Sequence, residues 1–304
     1  MSRRVFDVLK ERGVAVRENV PTAPLCTIKI GGSVALFIEP ICKNELVDTI
    51  LLLKNMGYPY ALIGKGSNVV FDDGTIPIAL IRTTALNATR LHGNVLSADC
   101  GASLFSLACL AARGGFSDLD FCCGIPGTLG GALVMNAGAY GKCLAQYVHA
   151  VRVLLPRTGE IKTLFRDELA FSYRNSVFQS EDMVALDAEL SLFDHDDPGE
   201  VFSRMRALNA KRRQTQPLEF PSAGSVFRRP FPNVPISRML DELGCKGMRI
   251  GGAAVSQKHA GFIVNLGGAT AADVKALILC LQNKLEKERG IRPRSEWRFI
   301  PEEI

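Results

Sequence analysis

The sequence predicts a protein of mixed helices and strands with more than one domain. Three observations carry this. The chain has 304 residues, more than one hydrophobic core ordinarily serves. Apolar runs of strand character alternate with helix-periodic runs along its whole length, and no repeat or low-complexity linker interrupts them.

The elements follow in order. The run from Asn44 to Met56 sets Val47, Ile50, Leu51 and Lys54 at helical spacing, with Asn44 as N-cap and Gly57 just past the end. YPYALIG is a strand that empties into Gly64-Lys65-Gly66-Ser67-Asn68. VVF, the Asp72-Asp73-Gly74 turn and IPIALI are expected as a hairpin-like pair, which closes a small α/β segment near residue 85. From Val95 to about Leu192 strands dominate. VLSADC precedes the helix SLFSLACLAARGG, HAVRVLLP and EIKTLF flank the turn Arg157-Thr158-Gly159, and MVALDAELSLF is a buried strand. A charged helix runs from about Pro198 to Arg213. In the last helix Thr270 and Asp273 form a capping box. Val274, Leu277, Ile278, Leu281 and Leu285 line one face there, and Gly290 is the stop.

Composition excludes several classes. Hydrophobic residues at 47% and charged residues at 22% argue against disorder. The net charge of +5 is mild and spread out. Lys211-Arg212-Arg213 has no aromatic partners for a nucleic-acid groove; a solvated helix face and an anion site are both open readings. Nine cysteines, an odd number without CxxC spacing, and four scattered histidines support neither a disulfide framework nor a metal site. Asp7 and Glu11 stand where a signal peptide needs its apolar core, and no apolar stretch is long enough to span a membrane. A reduced, soluble, cytoplasmic protein is expected.

Two glycine-rich loops carry the chemistry. The first is Gly64 to Asn68; the second, residues 123 to 141, holds Gly124, Gly127, Gly130, Gly131, Gly138 and Gly141, with Thr128, Asn136 and Tyr140 between them. Glycines let backbone N–H groups converge on an anion, so a two-loop pyrophosphate site is the reading, although neither loop fits GxxxxGK[ST] or GxGxxG. Arg174 sits in Ser172-Tyr173-Arg174-Asn175-Ser176 between Phe171 and Phe178, either on a rigid, partly buried segment or paired with a nearby acid on a surface turn. Ser225 follows Gly224 in an apolar context, where a local backbone role competes with chemistry. Glu296-Trp297-Arg298 puts both charges inside a strand-like run, where edge decoration is the competing account.

Together these blocks resemble one family, the UDP-N-acetylenolpyruvoylglucosamine reductases. TIKIGG at 27–32, IGKGSN at 63–68, CGIPGTLGGALVMNAGAYG at 123–141, SYRNSVF at 172–178, PSAGSVFRRP at 221–230, GGAAVSQKHAGFIVN at 251–265 and SEWRFI at 295–300 each resemble a family block. They stand in the family's order over nearly the whole chain, which is similar to the shorter, second type.

The resemblance implies an α+β fold: a two-part FAD-binding module of the PCMH type (1–85 and 86–205) and a C-terminal α/β substrate-binding domain (206–304) whose last strand returns toward the flavin. It implies non-covalent FAD held by Gly64, Lys65, Gly66, Ser67, Asn68, Gly124, Ile125, Pro126, Gly127, Thr128, Gly131, Asn136, Ala137 and Gly138, with NADPH as hydride donor and no metal. It implies reduction of the enolpyruvyl ether in peptidoglycan precursor synthesis, with Arg174, Ser225 and Glu296 catalytic. An enol ether accepts hydride poorly unless charge moves into its carboxylate. Arg174 and Glu296 are expected to stabilise that charge, Glu296 as an acid with a pKa raised by burial, and Ser225 to give the proton, helped by Arg228 or Lys258. Tyr173, Arg213, Arg229, Lys258 and Arg298 are expected at the substrate. Trp297, where the family usually has a small aliphatic residue, and Arg228-Arg229 depart from the pattern. Cys122 and Cys123 beside the second loop keep a rival open: a sugar or alcohol oxidase with covalent flavin. A non-catalytic nucleotide-sugar or flavin-binding regulator is the other.

Overall fold

The computed structural model describes residues 2–230 and 234–301. In chain order the first elements are α1 (Ser2–Glu11), β1 (Val16–Pro21), β2 (Ser33–Ile38), α2 (Lys43–Asn55), β3 (Tyr60–Ile63), β4 (Val69–Phe71) and β5 (Thr75–Arg82). Then come β6 (Thr89–His92), β7 (Val95–Asp99), α3 (Leu104–Arg113), α4 (Leu129–Met135), β8 (Gly138–Ala139), β9 (Lys142–Cys143), β10 (Val148–Leu155), β11 (Glu160–Phe165) and β12 (Val184–Ser191). The rest are α5 (Pro198–Thr215), α6 (Ile236–Glu242), β13 (Arg249–Ile250), β14 (Ala253–Val255), β15 (Ile263–Asn265), α7 (Ala271–Arg289) and β16 (Arg298–Ile300).

The chain divides into two compact units. One comprises Met1–Glu18, Leu36–Lys65 and Ile78–Lys211; the other Asn19–Ala35, Gly66–Pro77 and Arg212–Ile304. The boundary at Lys211 lies in α5, the helix in which the expected substrate domain begins at 206.

The first unit is built on an antiparallel sheet of order β11-β10-β12-β7-β6, and it also holds β3 and the Val16–Glu18, Leu36–Ile38 and Ile78–Arg82 parts of β1, β2 and β5, whose sheet has the order β1-β2-β5-β3 with β3 and β5 parallel. The hairpin of β10 and β11 has the expected turn, in register from Ala150↔Phe165 to Leu155↔Glu160. Alternation along β10 and β12 sends side chains to both faces. Val151, Val153, Ala188 and Leu190 join Leu104, Leu107, Leu129 and Leu133 of α3 and α4 in one core. Leu154, Val184 and Leu186 join Leu46, Ile50 and Leu53 of α2 in another. Each valine, leucine and isoleucine among them contributes about 1.5–3 kcal/mol by leaving water.

Two local expectations fail, for stated reasons. The N-cap of α2 is Cys42 rather than Asn44, because Glu45 reaches back to accept from the Ile41 N–H at 2.9 Å and moves the start two residues earlier. β4 and β5 form no hairpin: β5 pairs with β3, and β4 pairs in parallel with β16. In the second unit the carbonyls of Asp72 and Gly74 accept from Gly32 and Ser33 instead of closing a ladder, and the Asp73 carboxylate caps α7 at Ala271 (2.7 Å) and Ala272 (3.0 Å). The α7 capping box forms as expected, and Gly290 ends the helix in the left-handed region. β13, β14 and β15 make an antiparallel sheet against α7.

In the first unit the Arg82 guanidinium forms a fork with Glu39 (2.6 and 2.9 Å), joined by the Thr84 hydroxyl at 3.2 Å. These hydrogen bonds hold the Glu39 carboxyl below its ordinary value of 4.5. A depressed folded pKa gives stability that is complete above the unfolded value and is lost as pH falls through the folded one. Thermal melts of wild type and Glu39→Gln are therefore expected to converge as pH drops below about 4.5. A gap independent of pH would show that the fork does not couple folding to this proton.

Candidate active site

Strand β3 delivers the first glycine loop. A Cβ at Gly64 would fall 2.2 Å from Thr128 Oγ1, so Gly64 packs directly on the start of α4 within the first unit. Gly66 has φ +61, and a Cβ there would lie 2.3 Å from the carbonyl oxygen of Leu25. Its own carbonyl accepts from Thr27 N–H at 3.1 Å. Among the described residues, the N–H groups of Lys65, Gly66, Ser67 and Asn68 reach no protein acceptor, although Gly66 is buried. Successive N–H groups around a left-handed residue make an anion-binding concavity, and buried N–H groups need partners. Phosphate oxygens fit this loop.

The second loop works differently. Thr128 is buried and caps α4, its hydroxyl accepting from Gly131 N–H at 3.5 Å. The N–H groups of Ile125, Gly127, Leu129 and Gly130 go to the carbonyls of Cys122, Ile125, Ala102 and Cys100. The donors of this loop are thus largely satisfied by protein, and what it offers a ligand is close approach. A Cβ at Gly130 would crowd Cys100 at 3.1 Å, and one at Gly138 would meet the Lys142 carbonyl at 2.5 Å. At Gly127 and Gly131 the protein leaves ordinary contact distances of 3.4 and 3.7 Å. Packing within the protein explains the first two glycines and not the last two. Gly124, Ile125 and Pro126 lie at the half-buried to exposed rim of the same loop, and Ala137 N–H closes on Ala132 after α4.

Arg174 stands in the first unit on a four-residue turn closed by Ser172 and Asn175, each accepting from the other's N–H (3.1 and 3.2 Å). Its φ is +54, a conformation that costs a non-glycine residue about 1–2 kcal/mol. The guanidinium donates to the carbonyls of Asn136 (3.4 Å) and Gly138 (3.1 Å) and lies over the ring of Tyr173 at 5.3 Å. Asn136, itself left-handed at φ +40, donates from Nδ2 to Ser172 O (2.9 Å) and accepts at Oδ1 from Ala145 N–H (3.1 Å). Half-buried Arg174 stands on a turn and is bonded to the end of α4, as expected for a rigid, partly buried segment.

The segments that carry Ser225 and Glu296 meet in the second unit. Val226 N–H donates to Gly261 O at 2.9 Å, and Glu296 N–H donates to Val226 O at 2.7 Å. Val226 and Phe227 are buried, and Ser225 between Gly224 and Val226 is exposed. Asn68 of the first glycine loop ties in the last strand: Nδ2 donates to Glu296 O (2.9 Å), and its carbonyl accepts from Arg298 N–H (3.0 Å). Glu296 and Arg298 are half-buried and Trp297 between them is buried at 4% exposure, so exposed decoration does not describe the pair, although β16 and β4 form a two-stranded sheet. Asn265 was missed in the sequence. Buried, it donates to the carbonyls of Ile28 and Lys29 and so fixes the TIKIGG segment, whose Thr27 hydroxyl reaches Ser222 O at 2.6 Å. Only its place at the end of a block hinted at it.

Lys258 donates to the Arg213 carbonyl at 2.7 Å and pairs with Glu219 at 3.4 Å, so its ammonium braces the end of α5. Arg213 and Arg229 are exposed and Arg298 is half-buried.

Residues 34–164 match the FAD binding domain family, and residues 216–300 match the C-terminal domain of UDP-N-acetylenolpyruvoylglucosamine reductase. A protein named UDP-N-acetylenolpyruvoylglucosamine reductase from Lactobacillus acidophilus is 39% identical over 97% of this chain and 98% of its own. The chain belongs to the UDP-N-acetylenolpyruvoylglucosamine reductase family. The reductase of the same name from Caldicellulosiruptor bescii is 38% identical over 97% of this chain and 93% of its own. The crystal structure of the Thermus caldophilus reductase superposes with a TM-score of 0.79 at 32% identity, covering 94% of this chain and 99% of that one. Among the described residues no helix is long and apolar enough to cross a membrane.

Proposed function

We propose that this chain reduces UDP-N-acetylenolpyruvoylglucosamine to UDP-N-acetylmuramate with NADPH, using non-covalent FAD, in peptidoglycan precursor synthesis. One observation carries the reading in the structure. Asn68 of the anion-binding loop is bonded through Glu296 and Arg298 to the segment that presents Ser225, so loop and proposed chemistry form one framework. FAD, when bound, supplies the two-electron relay between NADPH and the vinyl carbon. Gly64 to Asn68 would hold its pyrophosphate, while Gly124 to Thr128, Gly131 and Asn136 to Gly138 would lie along it.

The roles proposed for the chain's own residues follow from charge. Arg174 sets a fixed positive charge against the substrate carboxylate, where negative charge grows as the double bond is reduced. Glu296 adds a hydrogen bond to it. Ser225 gives a proton to the carbon beside the reduced one. Tyr173, Arg213, Arg229, Lys258 and Arg298 are proposed to contact the nucleotide sugar. We keep 1–85 and 86–205 for the cofactor, 206–304 for the substrate, and a cytoplasmic monomer within the same proposal.

The covalent-flavin rival is poorly supported at its strongest point. Cys122 is buried, and burial pushes its thiol far above the ordinary value. Cys123 is also buried and donates to Met205 O at 3.6 Å.

The deciding experiment is anaerobic. Reduced with NADPH and mixed with the enolpyruvyl substrate, the yellow protein is expected to recover its oxidised spectrum rapidly. A protein that stays bleached has another acceptor. One that remains colourless after FAD is supplied overturns the proposal.

A further inference from the structure

The conformation that aims Arg174 is held by a residue outside every role assigned above. Gln179 lies half-buried one turn beyond the Arg174 segment. Its Nε2 donates to the Val134 carbonyl at 2.8 Å and to the carbonyl of Arg174 itself at 3.0 Å. Val134 is in the last turn of α4, and its carbonyl also accepts from the buried Ser176 hydroxyl at 2.8 Å. We propose that Gln179 is the positioning residue for Arg174. Its carboxamide clamps the Arg174 carbonyl to α4, fixes the backbone at φ +54, and so sets the direction in which the guanidinium leaves the turn. The proposal rests on the reading that Arg174 meets the substrate carboxylate.

The side-chain chemistry is specific. Two carbonyl oxygens face one group, so that group must donate twice, and an NH₂ does so. A left-handed arginine has no intrinsic reason to stay where it is. With the clamp removed, the turn can relax toward a commoner conformation and carry the guanidinium with it. Glutamate has the same shape and only acceptors, so it would set a carboxylate against two carbonyls. Lysine keeps donors on a stem long enough to reach.

The test compares two ligands on the oxidised holoprotein by calorimetry: the enolpyruvyl substrate and UDP-N-acetylglucosamine, which lacks the carboxylate. Gln179→Leu is expected to weaken the first about tenfold, the loss of one charge-assisted contact, and to leave the second unchanged. Flavin content and melting temperature should stay at wild-type values. Reoxidation of the reduced flavin by substrate should slow about 100-fold, the cost of a misplacement near 1 Å, while reduction by NADPH keeps its rate. In an Arg174→Ala background the Leu variant should add nothing, and Gln179→Lys should recover much of the loss. Gln179→Met, which keeps the stem, replaces the Leu variant if that one melts early.

Equal weakening of both ligands, or an independent loss in the Arg174→Ala background, would overturn the positioning role. If Arg174→Ala alone leaves substrate binding and turnover intact, the reading of Arg174 has failed and the role of Gln179 falls with it. If Arg174→Ala is inactive and the Gln179 variants are normal, only the clamp has failed.

Discussion

Ser225→Ala is expected to leave NADPH-driven reduction of the flavin near its normal rate and to slow reoxidation by the enolpyruvyl substrate by about 10²- to 10⁴-fold, the range over which a positioned proton donor acts. The half-reactions separate because the proton is needed only once the substrate is present. The fold should not register the change. Ser225 is exposed, and its segment is anchored by buried Val226 and Phe227 and by the hydrogen bonds from Val226 N–H to Gly261 and from Glu296 N–H to Val226. Removing one exposed oxygen from such a segment changes stability by no more than about 0.5 kcal/mol, against about 4 kcal/mol of barrier for a 10³-fold loss. Stopped-flow traces of the two half-reactions check this. A matched loss in both would remove Ser225 from proton donation and make it a structural residue.

Much of this site was legible before any coordinates, and the legible part has a common cause. Capping and glycine stops act over a few residues, so Thr270, Asp273 and Gly290 could be read directly. The hairpin of β10 and β11 is likewise local. Pairing between distant segments was not legible. β4 and β5 adjoin an Asp-Asp-Gly turn, and nothing in those residues says that β4 takes its partner from 298–300. The Asn68 bridge to Glu296 spans 228 residues, and Gln179 to Val134 spans 45, so neither leaves a local pattern. The composition of the glycine loops was informative about ligand contact but silent on the division of labour. The two-loop reading gave both loops the same task, whereas the N–H groups without a protein acceptor lie in the shorter loop at 65–68 and those of the longer loop are largely bonded within the protein.

That division makes the second large expected effect, carried by a pair of glycine variants. At Gly66 a methyl group would meet backbone atoms, Leu25 O at 2.3 Å and Cys26 Cα at 2.8 Å, and φ is +61. Neither neighbour is a flexible side chain that could swing aside. Gly66→Ala therefore pays about 1–2 kcal/mol for the left-handed backbone and a steric cost besides, and it should yield protein that melts early and purifies without flavin. At Gly131 the nearest group to the same methyl is Thr128 Oγ1 at 3.7 Å, an ordinary contact, and φ lies outside the left-handed region. Apoprotein carrying Gly131→Ala should melt with the wild type, because an alanine in the first turn of α4 is at least as good a helix residue as glycine. Its affinity for FAD should nevertheless fall by about 100-fold, since one methyl would then occupy the space that the cofactor needs against the backbone. Fluorescence titration of apoprotein with FAD, run beside thermal melts, reads both quantities. Normal FAD affinity in Gly131→Ala would mean that the second loop does not carry the cofactor at this point, and the glycines there would need another explanation than ligand approach.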